Sequence, residues 1–116
     1  MGRFLGQSYA RQTPDSFVQT VDVSSNITLA LNSIYYVNTT AAIVTLTLPQ
    51  LPSAGDFVDI IDAAGTFDTY NCVIIPSGDG STVAGFADNL TLNLSRLSVR
   101  LQYSVGRTSW LVTQLI

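Results

Sequence analysis

The sequence predicts an all-β protein, built as an antiparallel β-sandwich or jelly-roll-like barrel with an extended N-terminal arm. Short runs alternate apolar with polar or small residues, which is the period of a half-buried strand. Clusters of Gly, Pro, Asn, Asp and Ser separate the runs at the spacing typical of a sandwich or barrel. No long segment keeps a helical period between capping residues. We therefore expect one domain over residues 17–116 and an arm over residues 1–16.

Five runs with a period of two precede residue 62. They are residues 17–23, 27–31, 34–37, 44–48 and 57–61. Pro49 ends the fourth run, because proline cannot donate to a strand ladder. The turn Pro52-Ser53-Ala54-Gly55 leads into the fifth. These runs predict the first half of two packed sheets.

Five further runs complete the chain. They are residues 73–75, 82–83, 90–94, 99–103 and 110–115. Pro76 stops the first of these, and the glycine-rich segment 77–81 is expected to form a hairpin connection. One helical turn is expected near residues 84–89. The whole pattern predicts nine or ten strands.

The charged side chains narrow the possible functions. They are eight Asp and five Arg, with no His, Lys or Glu, and they make up 11% of the chain against a typical value of about 25%. Most acid–base and metal chemistry needs a group that titrates near neutrality or a cluster of soft ligands, so we expect no enzyme and no cofactor. The net charge of −3 gives no basic surface for nucleic acid, and no apolar run approaches the roughly 18 residues of a membrane span. The single Cys72 lies in an apolar run and is expected to be a buried, unreactive residue.

Two groups of charged residues are candidates for chemistry or binding. Asp56, Asp59 and Asp62 form the densest acidic cluster, and a hydrolase would need two of them to converge in a cleft. Their odd spacing puts Asp56 and Asp59 on opposite faces of a strand, so we interpret these aspartates as acceptors for backbone N–H groups. The arginines near the C-terminal hairpin could pair with aspartates of a neighbouring copy or lie in solvent. They are Arg96, Arg100 and Arg107.

Aromatic residues occur inside several of the alternating runs. They are Tyr35, Tyr36, Tyr70, Tyr103 and Trp110. Such residues could form a sugar-binding face, but in strands they are more often part of the core or of a subunit contact. We keep the second interpretation and leave the first open.

So few charges on so apolar a chain indicate burial against other copies, and we expect a homotrimer. The candidate interface residues belong to the strands at 90–94 and 99–103. They are Leu90, Leu92, Leu94, Val99, Leu101 and Tyr103. The arm has no strand period but carries spaced residues of the types that anchor at interfaces, and we expect it to bind a partner. They are Arg3, Phe4, Leu5, Tyr9 and Arg11.

Residues 26–115 resemble a β module of tailed-bacteriophage virion proteins. The resembling segments are residues 27–29, 35–39, 44–49, 52–56, 60–67, 71–74, 81–85, 90–92, 98–103 and 110–112. The most specific of them is Ile60-Ile61-Asp62-Ala63-Ala64-Gly65-Thr66-Phe67. The order of the segments, more than any one of them, carries the resemblance.

The resemblance implies a compact β domain that trimerises within a virion and has no active site to transfer. We therefore expect a structural virion protein, made in the host cytoplasm, whose arm binds the major capsid protein or another virion protein. The short arm favours a capsid decoration or cement protein. The alternative is a neck or tail-fibre module, including one that binds a host receptor or glycan.

Overall fold

All regular structure in the part of the chain described by this computed structural model, residues 18–116, is β. These residues form ten strands. They are β1 Gln19–Val23, β2 Ile27–Thr28, β3 Ser33–Val37, β4 Val44–Thr47, β5 Phe57–Asp62, β6 Cys72–Ile75, β7 Thr82–Val83, β8 Leu90–Leu92, β9 Val99–Ser104 and β10 Ser109–Leu115. The predicted all-β class is confirmed, and each predicted run overlaps one strand. The helical turn expected near residues 84–89 is instead a non-helical turn in which Val83 and Phe86 form a bridge.

The ten strands form two mixed sheets. A six-stranded sheet has the order β1-β3-β5-β9-β10-β7, and a four-stranded sheet has the order β2-β4-β6-β8. Parallel pairs join β1 to β3, β3 to β5, β2 to β4, β4 to β6 and β7 to β10. Only the pairs β5–β9, β9–β10 and β6–β8 are antiparallel. The expectation of antiparallel pairing was therefore wrong for most of the fold.

The parallel pairing follows from the path of the chain. From β1 to β6, each strand lies in the opposite sheet from the strand before it, so the chain winds as a coil. A parallel pair requires a crossover connection, and here the intervening strand of the other sheet supplies it. Short connections are typical of hairpins within one sheet, but between β1 and β6 each of them carries the chain from one sheet to the other. The glycine-rich segment 77–81 is another such corner, because it joins β6 to β7 in the other sheet.

One buried cluster takes side chains from both sheets. Successive turns of the coil stack equivalent positions: Val21, Tyr35 and Ile60 are in register in the six-stranded sheet, and Ile27, Leu46 and Ile74 are in register in the four-stranded sheet. Trp110, Phe67 and Leu101 are fully buried within the same core. Within residues 18–116, no helix is long and apolar enough to cross a membrane.

A buried carboxylate holds two loops at the end of β5. Asp62 Oδ1 accepts hydrogen bonds from the backbone N–H groups of Gly65 (2.9 Å) and Thr66 (3.1 Å), while Oδ2 accepts from those of Phe67 (3.2 Å) and Arg96 (2.8 Å). Asp62 is only 2% exposed. Because an ionised carboxylate can accept several bonds, it satisfies four backbone donors in one place. It thereby ties the β5–β6 loop to the turn before β9.

Two residues in this cluster have left-handed backbone conformations. Gly65 has φ +73°, and a Cβ at this position would lie 2.8 Å from Nε of Arg96. Arg96 itself has φ +66°, which costs a non-glycine residue roughly 1–2 kcal/mol. The hydrogen bond from its N–H to Asp62 offsets this strain. Glycine is therefore favoured at position 65 by its backbone angle, and any larger residue would also displace the exposed side chain of Arg96.

We expect Asp62→Asn to destabilise the protein by about 2–4 kcal/mol, because the amide NH₂ group would face N–H donors that now have an acceptor. Urea unfolding followed by the fluorescence of buried Trp110 measures the loss. Asp68→Asn is the matched control, since Asp68 is exposed in the same loop. Equal unfolding midpoints for the two variants would contradict the structural role of Asp62.

Candidate functional site

An apolar surface outside the core is formed by the outer face of the six-stranded sheet, defined as its side chains that point away from the core. On β3, β5 and β9 these positions alternate with the core positions. Its central residues are Ile34, Tyr36, Phe57, Asp59, Ile61, Arg100, Gln102 and Leu111. Ile34, Phe57, Ile61 and Leu111 are only half-buried, so this face presents apolar side chains to its surroundings.

A bidentate ion pair lies at the centre of the outer face. Arg100 and Asp59 are directly opposite each other on the antiparallel strands β9 and β5. The distances are 2.7 Å from Nε to Oδ1 and 2.9 Å from Nη2 to Oδ2. The guanidinium carbon also lies 4.1 Å from the centre of the Phe57 ring, a cation–π contact. The hydrogen bonds to Asp59 raise the pKa of Arg100 above its usual value.

The ion pair leaves no unpaired charge at the centre of the outer face. The Asp59 side chain is only 5% exposed, whereas that of Arg100 is 31% exposed. Exposed ion pairs contribute little to stability, but removing the partner of a nearly buried carboxylate is strongly unfavourable. The sequence left open whether Arg100 pairs with another copy or lies in solvent. It does neither, because its partner is in its own chain.

The three clustered aspartates have separate partners. Asp56 accepts bonds from the Asn32 side chain (3.2 Å) and the Ser53 N–H (2.8 Å). These partners are distinct from Arg100, which pairs with Asp59, and from the N–H donors that bond to Asp62. Asp59 lies on the outer face, while Asp62 is tied into the loops at the end of β5. Each of these carboxylates therefore holds neighbouring structure through its own set of bonds.

Two further residues considered for chemistry also have structural surroundings. Cys72 is fully buried, and burial, followed by the charge of Asp62, raises the pKa of its thiol to about 12. It therefore remains protonated at neutral pH, and a protonated thiol is a poor nucleophile. In the loop 77–81, Asp79 accepts bonds from the Ser81 N–H (3.0 Å) and hydroxyl and from the Leu51 N–H (2.8 Å). The bonds from Ser81 are the main reason that the pKa of Asp79 is lowered.

The aromatic residues divide into two groups. Tyr35 and Trp110 are buried, and Tyr103 packs against Trp110 with 5.6 Å between ring centres. Tyr36 and Tyr70 are 37% and 40% exposed. The core interpretation is therefore correct for the first group only, and the exposed pair does not form one platform with it.

The proposed interface residues do not lie together on the surface. Leu92, Val99 and Leu101 are buried in the core of their own chain, and Leu90 and Tyr103 pack against that core. Leu94 alone is largely exposed, at 61%. This corrects the choice of residues, because the apolar positions of these strands face inward. The outward positions of β9 are Arg100 and Gln102, so any interface there must use the outer face.

A sequence signal for the outer face was available. In the segments Ile34-Tyr35-Tyr36-Val37 and Phe57-Val58-Asp59-Ile60-Ile61, both strand phases are mostly apolar. Strands with one solvated face normally alternate, whereas continuous apolar runs indicate burial on both faces. Residues 1–17, and with them the predicted arm residues Arg3, Phe4, Leu5, Tyr9 and Arg11, lie outside the described part of the structure.

No protein-family model matches this chain, and no curated protein has a significantly similar sequence. The resemblance to phage virion modules therefore rests on the order of the sequence segments alone.

Proposed function

We propose that this chain is a non-enzymatic structural protein of a tailed-phage virion that forms a homotrimer and decorates the capsid. The outer face of the six-stranded sheet is the observation on which the proposal chiefly rests. In this proposal the two mixed sheets pack as a sandwich, and the arm binds the major capsid protein. A neck or tail-fibre module is the alternative, because it would use the same body on another virion surface.

The outer face has the character of a protein-binding surface. Its apolar side chains surround a charge pair that is already satisfied, so a partner would not leave an unpaired charge behind on binding. Interface centres are depleted in free charge and enriched in aromatic residues and arginine, and Phe57 and Arg100 fit this composition. We assign the trimer contact to the part of this face on β5, β9 and β10, around Phe57, Arg100 and Leu111.

The use of the carboxylates supports a structural role. Asp56, Asp59 and Asp62 hold a turn, an ion pair and two loops, so using any one of them in catalysis would release structure that depends on it. The chain has no His, Lys or Glu to take their place.

In this proposal, the decoration protein stabilises the shell by binding only its assembled form. Such binding shifts the equilibrium toward assembly by mass action. A trimer presents three arms, and linked contacts gain avidity beyond that of one arm.

We expect the protein to sediment as a trimer at micromolar concentration and Leu111→Arg to shift it toward monomer, because the new charge would be buried in the contact. Val105→Arg is the control, since Val105 is 59% exposed in the turn between β9 and β10, away from the outer face. Sedimentation equilibrium of the three proteins distinguishes the cases. A wild-type monomer, dimer or pentamer would refute the trimer, and an intact Leu111→Arg trimer would refute its location.

We expect deletion of residues 2–13 to abolish binding to purified virions while leaving the melting temperature nearly unchanged. The deleted segment has no strand period, but it contains Phe4 and Leu5, each of which could contribute roughly 1.5–3 kcal/mol when fully buried in a partner. Co-sedimentation with virions measures binding, and thermal unfolding measures the fold. Binding as tight as that of the full chain would place the attachment on the β body instead.

A further inference from the structure

A shallow depression on the outer face, at the ends of β1 and β3, has the chemistry of a saccharide site. It has a volume of about 290 Å³ and is lined by Asp22, Val23, Ser24, Tyr36, Asn38 and Ala63. Asp22 and Tyr36 are in register on adjacent parallel strands, and Ser24 and Asn38 lie two residues further along. Asp22 and Tyr36 therefore project from the same side of the sheet, and Ser24 and Asn38, just beyond the ends of the two strands, complete the lining.

The polar side chains of the depression have bonding capacity left for a ligand. Asn38 Oδ1 accepts bonds from the N–H (2.9 Å) and hydroxyl (2.8 Å) of Thr40, which fixes the orientation of the amide. Within residues 18–116, its Nδ2 group and the side chains of Asp22 and Ser24 make no hydrogen bond. A fixed amide donor, a carboxylate acceptor and a hydroxyl thus line the depression together with the partly exposed side chain of Tyr36.

The charge of the depression selects among ligand classes. Asp22 is its only charged lining residue, so an anionic ligand would be repelled and a divalent cation would lack further carboxylate ligands. The polar lining disfavours a purely apolar ligand. A neutral sugar ring has hydroxyl groups for Asp22 and Asn38 and an apolar C–H face that can pack on an aromatic ring. The volume lies just below the roughly 300–1,000 Å³ of drug-sized pockets, which suits a small ligand.

We propose that this depression binds the neutral hexose unit of a glycan, with the sugar ring on Tyr36 and its hydroxyl groups on Asp22 and Asn38. The inference stands apart from the proposed virion role, because Asp22, Tyr36 and Asn38 lie on or just beyond β1 and β3, outside the trimer contact assigned to β5, β9 and β10. It also separates Tyr36 from Tyr70, which is equally exposed but does not line the depression.

Saturation-transfer NMR with methyl glycosides of glucose, galactose, mannose and N-acetylglucosamine tests the proposal. We expect at least one of these neutral glycosides to bind weakly, and Tyr36→Ala to weaken it by about tenfold or more. Tyr36→Phe should retain most of the binding, because it keeps the ring, and Tyr70→Ala should bind as wild type. Thermal unfolding of each variant shows whether the fold is intact.

Three results would overturn the assignment. They are no saturation transfer from any neutral glycoside, equal binding by the folded Tyr36→Ala and Tyr70→Ala variants, and a preference for glucuronate or glucosamine over the neutral sugars. Comparing a bound glycoside with oligosaccharides of the same sugar distinguishes a free sugar from a glycan chain as the ligand. Equal affinity identifies the single sugar unit as the recognised group, and higher oligosaccharide affinity extends the site along the chain.

Discussion

The fold depends on the buried carboxylate of Asp62. This residue lies in the strand that has a parallel neighbour on one side and an antiparallel neighbour on the other. Asp62 ends this strand, β5, which pairs in parallel with β3 and antiparallel with β9, and its bonds to Gly65, Thr66 and Phe67 shape the loop that carries the chain into β6. Its bond to Arg96 fixes the turn from which the antiparallel strand β9 starts. Because one ion satisfies donors from two distant segments, the coil and the antiparallel strands form a single core.

The small number of charged side chains also explains the apolar character of the outer face. With so few ionisable side chains, several are tied to particular bonds: Asp59 to Arg100, Asp56 to Asn32 and Ser53, and Asp79 to Leu51 and Ser81. Apart from Asp22 on the edge strand β1, what remains on the outer face is apolar or neutral, which suits contact with protein or with a sugar ring more than chemistry on a substrate. The proposed functions follow from this distribution of charge.

The sequence was sufficient to predict the strands but not their partners. At residues 44–48 and 99–103, apolar and polar residues alternate because successive side chains of a strand point to opposite faces, one of them buried. The sequence therefore shows such strands directly. Whether a short connection turns back as a hairpin or crosses to the opposite sheet depends on packing between distant strands, so the parallel coil was not predictable. The choice of interface residues failed for the same reason. Leu92, Val99 and Leu101 were recognised as apolar, but the pattern does not say whether an apolar face is buried in its own core or against another copy.

Native-state hydrogen exchange tests the central role of Asp62 most directly, because it observes the four donors themselves. If their bonds unite the two parts of the fold, the amides of Gly65, Thr66, Phe67 and Arg96 should exchange only through global unfolding, with free energies close to that of Leu101 in β9. Loop amides normally open at much lower free energy. Exchange of these four amides as fast as that of the Gly78 and Gly80 amides would show that the loops open independently and would contradict the account.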